Sequence, residues 1–190
     1  MLKKISNVLN NEASKGQKLM VFIRYLFAHC MFLFRDGFPF TWLHGIKMSV
    51  LKGRTSTTDC YYFRYYDRDE FLFLERYIRP GDTFIDVGAN IGSYSLLAAS
   101  LGCNVLAFEP DASTCSVFER ICNDNGFSKR IKIFQTAVGA EKKYVSFISG
   151  LDTTSRVSTD FEAGEMVQCI PLDKVTDEDM NVDILKIDVE

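Results

Sequence analysis

The residues best suited to chemistry lie in Asp86-Val87-Gly88-Ala89-Asn90-Ile91-Gly92 and in Ala107-Phe108-Glu109-Pro110, which puts Glu109 23 residues after Asp86. Glycine at positions 88 and 92 lets the backbone bend sharply and approach a ligand where a Cβ would block it. A dinucleotide site needs glycines at the first, third and sixth positions of its loop. Counted from Gly88, those positions hold Gly88, Asn90 and Ser93. The pyrophosphate spacing is broken, and Asp86 ahead of the bend would repel a phosphate while favouring an ammonium or a sulfonium. Glu109 can accept both hydroxyls of a ribose, and Pro110 brings no N–H to compete for its carboxylate. These residues suit a nucleoside carrying a positively charged tail. A second acidic pair, Asp188 and Glu190, stands two residues apart at the end of an apolar run, the spacing that points both to one side of a strand.

Positioning such residues takes strands that end at them and helices that follow. Thr83 to Val87 reads as a short apolar strand, and Ser93 to Leu101 as a helix with Tyr94, Leu97, Ala98 and Leu101 on one face and Gly102 as its stop. Asn104 to Phe108 is the next strand, Ala112 to Asp124 the next helix, Ile131 to Val138 a third strand and Asp183 to Val189 a fourth. Tyr144 to Ser149 and Met166 to Ile170 read as an added antiparallel pair. Alternating strands and helices with near-continuous apolar strands predict an α/β fold, a Rossmann-like doubly wound, mostly parallel sheet covered on both faces. Ligands of such sheets sit at the carboxyl ends of the strands, where the strand order reverses, with the N–H groups of a helix start facing the same crevice. Before this pattern, Ile46 to Phe63 suggests two strands (IKMSVL and CYYF) around a polar turn, Asp69 to Ile78 reads as a helix, and a weak boundary falls at Asp36 to Pro39. The expected division is an N-terminal extension over residues 1–68 and a ligand-binding domain over 69–190.

The composition agrees with one packed folding unit of this class. Of 190 residues 47% are hydrophobic, and 22 basic and 25 acidic side chains leave a net charge of -3, which excludes a disordered, collagen-like or disulfide-scaffold chain. The charge is uneven: Met1 to Arg35 carries six basic residues against Glu12 alone, whereas Ser158 to Glu190 sets Lys174 and Lys186 against ten carboxylates. The acidic end discourages nucleic acid as a partner, and the basic end beside an apolar run brings in a membrane surface or an acidic partner. That run, Leu19 to Phe34, has 16 residues with Arg24 and His29 inside it, short of the roughly 20 that span a bilayer. It reads first as a helix buried against a core or partner, with peripheral membrane contact as the alternative. Six cysteines without a C-x-x-C pair and only two histidines give no metal site by spacing and suit reduced thiols in a cytoplasmic chain. His44, Glu70, Lys186 and the polar stretch Asp152 to Ser158 read as structural: a part-buried histidine, a helix-surface acid, a lysine paired with a nearby carboxylate and a solvated loop.

With these motifs quoted, the sequence resembles the class I S-adenosylmethionine-dependent methyltransferases, and more narrowly the FkbM family. The resemblance rests on RPGDTFIDVGANIGSYSLLAASLG from Arg79 to Gly102, VLAFEP from Val105 to Pro110 and DILKIDVE from Asp183 to Glu190. It implies that Asp86, Gly88, Ala89, Asn90 and Gly92 form the loop under the methionine part of S-adenosyl-L-methionine, and that Glu109, followed by Pro110, holds the ribose. It implies that the strand end at Thr136, Ala137 and Val138 borders the adenine, and that Asp188 and Glu190 face the methyl donor and acceptor, one of them as the base for an attacking hydroxyl. The implied activity is methylation of a sugar or other small hydroxylated acceptor, with a nicotinamide oxidoreductase and a membrane- or partner-anchored interaction protein as rivals. Family members continue with a glycine and further elements after the equivalent of Glu190, so the resemblance carries the expectation of a truncated domain that binds cofactor weakly by itself.

Overall fold

The structure is a computed structural model describing residues 2–148, 156–158, 164–175 and 180–189. The chain separates into two compact units, Met1–Phe73 and Leu74–Glu190.

The first unit opens with α1 (Leu2–Asn10) and α2 (Lys18–Met31), followed by the antiparallel ribbon of β1 (Gly37–Thr41) and β2 (Lys47–Leu51) and by α3 (Thr55–Phe63). α4 (Arg68–Tyr77) carries the chain across the boundary between units. Val21, Tyr25 and Ala28 of α2 are buried with Phe38, Val50, Tyr62 and Phe63 in one core. Polar side chains tie the same elements: Arg24 Nη1 donates to the Tyr62 carbonyl at 2.9 Å and Gln17 Nε2 to that of Phe63 at 3.0 Å.

Two expectations fail in this unit. Asp36 to Pro39 is not a boundary, because residues 37–41 form β1; a two-stranded ribbon tolerates Pro39, whose missing N–H costs nothing on an open edge. CYYF is the end of α3 rather than a strand. The pairing partner of β2 is already β1, and Thr57 Oγ1 accepts from Leu51 N and donates to the Arg54 carbonyl, winding the chain into a helix directly after β2. Ser56, Thr57, Cys60 and Phe63 then share the buried face, a helical spacing hidden behind aromatic residues that favour strands.

The second unit holds a parallel sheet of β3 (Thr83–Val87), β4 (Asn104–Phe108), β5 (Ile131–Phe134) and β10 (Ile184–Ile187), ordered β10-β3-β4-β5. α5 (Ser93–Ser100) joins β3 to β4, and α6 (Ala112–Asn125) joins β4 to β5. The order runs outward from β3 on one side and then returns to its other side, the reversal that defines a doubly wound sheet. The Rossmann-like α/β class expected from the sequence is therefore present. α6 begins where Asp111 accepts a hydrogen bond from Thr114 N and ends at Gly126, whose φ of 71° lets the terminal carbonyls be capped. Ile85, Val87 and Phe108 form the core on one face, joined by Phe134, Leu172 and Val175.

The expected third strand, Ile131 to Val138, breaks in two. Thr136 N turns back onto the Phe134 carbonyl, and Ala137–Val138 becomes β6 of a second sheet, ordered β6-β9-β7-β8, with β7 (Lys143–Ile148), β8 (Arg156–Ser158) and β9 (Glu165–Ile170). β7 and β9 are the expected antiparallel pair. Residues 152–155 of the polar stretch lie outside the described residues.

Candidate functional site

The reversal point lies between β3 and β10, so the loop after Val87 and the chain after Ile187 leave the sheet side by side. Asp188 N donates to the Val87 carbonyl at 3.0 Å. A Cβ on Gly88 would stand 1.9 Å from the Asp188 carbonyl oxygen, and Gly88 has a φ of 76°; no other residue suits that position. Gly92, with a φ of 79°, is closed by the ring of Phe118, 2.0 Å from where its Cβ would be. Between them Asn90 holds a φ of 50°, and its Oδ1 accepts from Ile91 N at 2.7 Å.

The donors of this loop are already engaged. The N–H groups of Gly88 and Ala89 share the Phe108 carbonyl, each at 3.0 Å; that of Asn90 donates to Glu109 Oε2 at 2.9 Å, and that of Gly92 to the Ala89 carbonyl at 2.8 Å. With the Ile91 bond to Asn90, every amide from 88 to 92 has an acceptor inside the protein. A phosphate cradle works by leaving such donors open, so this loop is not one.

The carboxylates stand at the tips of adjacent strands, and their side chains do more structural work than expected. Asp86 is 0% exposed. Its Oδ2 accepts from Ser95 Oγ of α5 at 2.7 Å, and its Oδ1 lies 3.1 Å from Lys186 Nζ. Register explains the pair: Lys186 stands directly beside Asp86 across β10 and β3. That contact is an ion pair without hydrogen-bond alignment, because Oδ1 accepts no hydrogen bond. Lys186 Nζ donates instead to the Gly88 carbonyl at 3.1 Å, sits 3.6 Å from Asp188 Oδ2 and lies 4.9 Å from the centre of the Tyr94 ring. The first charge that Asp86 meets therefore belongs to the protein.

Glu109, 7% exposed, receives Asn90 N on Oε2 and Asp111 N at 2.8 Å on Oε1. It ties the tip of β4 to the glycine bend. Burial pushes its carboxyl above the usual range; the two N–H bonds oppose this, and the charges of Asp111 and Asp86 add to it. A carboxylate has about four acceptor positions, so two donated bonds leave Glu109 capacity for hydroxyls.

Pro110 is half-buried beside it, and Ala137 is buried three residues beyond the parallel sheet, in β6 opposite Cys169. Thr136 spends its hydroxyl on the Gln168 carbonyl at 2.7 Å, joining the sheets. Asp188 is the accessible acid of the group, its side chain 74% exposed; Glu190 lies outside the described residues. Lys186 was expected to pair with some carboxylate, and the structure shows which two. Ser95 and Tyr94 were missed, although a serine two positions from Ser93 on a buried helix face signals a polar partner across the sheet.

A model of the methyltransferase FkbM domain matches residues 86–190. The chain is 36% identical over 63 residues to a ribosomal protein L11 methyltransferase of Pelotomaculum thermopropionicum, a stretch covering 33% of this chain and 20% of that protein. Among solved structures it is similar to the methyltransferase FkbM of Methylobacillus flagellatus (18% identity, TM-score 0.42, 71% of this chain and 37% of that one). It is also similar to a SAM-dependent methyltransferase of Agrobacterium tumefaciens (13% identity, TM-score 0.43, 53% of this chain and 32% of that one). The match thus spans one fifth of the curated relative's length.

Proposed function

The chain belongs to the methyltransferase FkbM domain family, and from that premise we propose that its protein is an S-adenosylmethionine-dependent methyltransferase acting on a hydroxyl of a sugar or other small acceptor. The observation that carries this reading is the pair of buried acids at the adjoining β3 and β4 tips, beside a glycine bend whose amides have no donor left for a phosphate. That chemistry favours an adenosyl cation over a pyrophosphate and argues against the nicotinamide alternative.

The residues present fit the cofactor. Gly88 and Gly92 leave the bend without side-chain bulk, Glu109 keeps acceptor capacity for ribose hydroxyls, and Asp86 with Asp188 supplies negative charge around Lys186. In this reading Ala89 and Asn90 complete the bend, and Pro110 and Ala137 flank the nucleoside. Bound there, S-adenosylmethionine supplies an electrophilic methyl group on a sulfonium.

The chain's own part is alignment, exclusion of water and removal of one proton. An attacking hydroxyl gives up its proton as its oxygen bonds to carbon, and Asp188 is exposed at the carboxyl edge of β10 to accept it. Asp86, sealed by Ser95 and Lys186, cannot reach an acceptor proton and acts through its charge.

Ligand-observed NMR, which detects weak binding, tests the reading. The signals of S-adenosylmethionine should be attenuated by the protein and restored by S-adenosylhomocysteine, with NAD unaffected. Attenuation of NAD instead would overturn it. Transfer of label from the methyl-labelled cofactor to a panel of sugars then tests the acceptor class.

A further inference from the structure

α2 is apolar on two faces, and the fold uses only one. Val21, Tyr25 and Ala28 are buried, whereas Leu19, Ile23, Leu26, Phe27, Leu33 and Phe34 point outward, between 41% and 80% exposed. With exposed Cys30 filling the gap between Leu26 and Leu33, a spacing of three and four residues makes one stripe along the helix and past its end. Isolated exposed hydrophobic residues are ordinary, but a continuous stripe marks an interaction surface.

Charge identifies what the stripe fits. Exposed Lys18 stands at its first turn, and Lys15 is satisfied locally by Glu12 at 2.9 Å. At the other end lie Arg35 and Lys52, whose Nζ donates to the Phe32 carbonyl at 3.2 Å, with Asp36 the one exposed acid alongside. Both ends are net cationic. Pairing with a second copy of the chain would oppose like charges whether the helices ran parallel or antiparallel, because neither end carries excess acid. An anionic bilayer surface complements both ends and takes the apolar stripe among its acyl chains. Spanning is excluded for this helix: 14 residues reach about 21 Å, against a hydrocarbon core of about 30 Å.

We propose that the outward face of α2, extended through Leu33 and Phe34, docks the protein on an anionic lipid surface, with the helix lying in the interface plane. The stripe belongs to the first compact unit, and the glycine bend with its acids to the second.

Flotation of the full chain with vesicles of phosphatidylcholine mixed with phosphatidylserine, against phosphatidylcholine alone, tests this directly. The protein should float with the mixed vesicles, and each of Lys18→Gln and Arg35→Gln should weaken binding by about fivefold. The pair Leu19→Gln with Phe34→Gln should abolish flotation while leaving the melting temperature near that of the parent, since these side chains are 73% and 80% exposed. A measurement without substitution supports it: Cys30, exposed on the same helix, should alkylate readily in buffer and be protected by mixed vesicles. Absence of flotation, flotation undiminished in the Leu19→Gln/Phe34→Gln chain, or a dimer in light scattering that this pair of substitutions converts to monomer would each overturn the proposal.

Discussion

Lys186 and Asp86 are neighbours across two parallel strands, with Nζ 3.1 Å from Oδ1. The carboxylate is wholly buried and the ammonium 18% exposed, so each compensates a charge that the interior would otherwise reject. The pair locks β10 against β3 at the reversal point, and through its bond to the Gly88 carbonyl Lys186 also holds the bend.

Lys186→Met should therefore destabilise the protein by about 3–5 kcal/mol, since it strands a buried carboxylate. Adding Asp86→Asn should recover most of that loss. Urea unfolding of the two single variants and the double variant gives the coupling; strictly additive losses would show that the pair does not interact energetically.

Gly88→Ala and Gly92→Ala should each cost at least about 1–3 kcal/mol, because both require a positive φ and meet atoms within 2.0 Å. Gly88→Ala should also abolish cofactor binding, since its strain can be relieved only by moving Asp188 away from the bend. Thermal unfolding combined with NMR titration separates the two effects, and a stable Gly88→Ala protein with unchanged binding would remove the bend from the site.

Glu109 sets a pH dependence of definite sign. Burial raises its pKa in the folded state, so between the ordinary glutamate value, about 4.3, and the raised one the folded protein holds the extra proton. Stability then falls as pH rises through that window and levels off above it. Glu109→Gln eliminates this contribution, so urea midpoints should shift in favour of the variant as pH climbs. In the proposed function, cofactor affinity should move the opposite way in the parent, weakening as the carboxylate protonates on acidification. A parent-minus-variant difference that is flat with pH would contradict the assignment.

Thiol titration should find one fast-reacting cysteine in the native protein and six in denaturant. Cys30 is exposed and the other five are buried, and burial pushes Cys115 and Cys122 up to about 12 and Cys103 to about 11, far from the thiolate needed for reaction. More than one fast thiol would show that one of the two units opens in solution, the first if it is Cys60 and the second if it is any of the others.

The strands that end at Asp86 and Glu109 were legible because they are buried on both faces and so read as unbroken apolar runs. Their helices were legible too, because Gly102 and Gly126 stop them where the apolar spacing stops. The break at Thr136 was not, since a strand that changes sheets keeps the apolar alternation of one that does not. α3 was missed for a related reason: a short aromatic run suits either state, and only the occupied edge of β2 selects the helix.

By itself the sequence determined which residues cluster at the strand tips, because glycines that cannot be replaced and acids at strand ends are local requirements of a doubly wound sheet. Only the tertiary structure decided how those acids are used. The register that sets Lys186 beside Asp86, and the fold-back of Glu109 onto the Asn90 amide, join residues 100 and 19 positions apart. Likewise, α2 reads as mostly apolar in one dimension; packing with Phe38, Val50 and Tyr62 buried one side and left the other exposed.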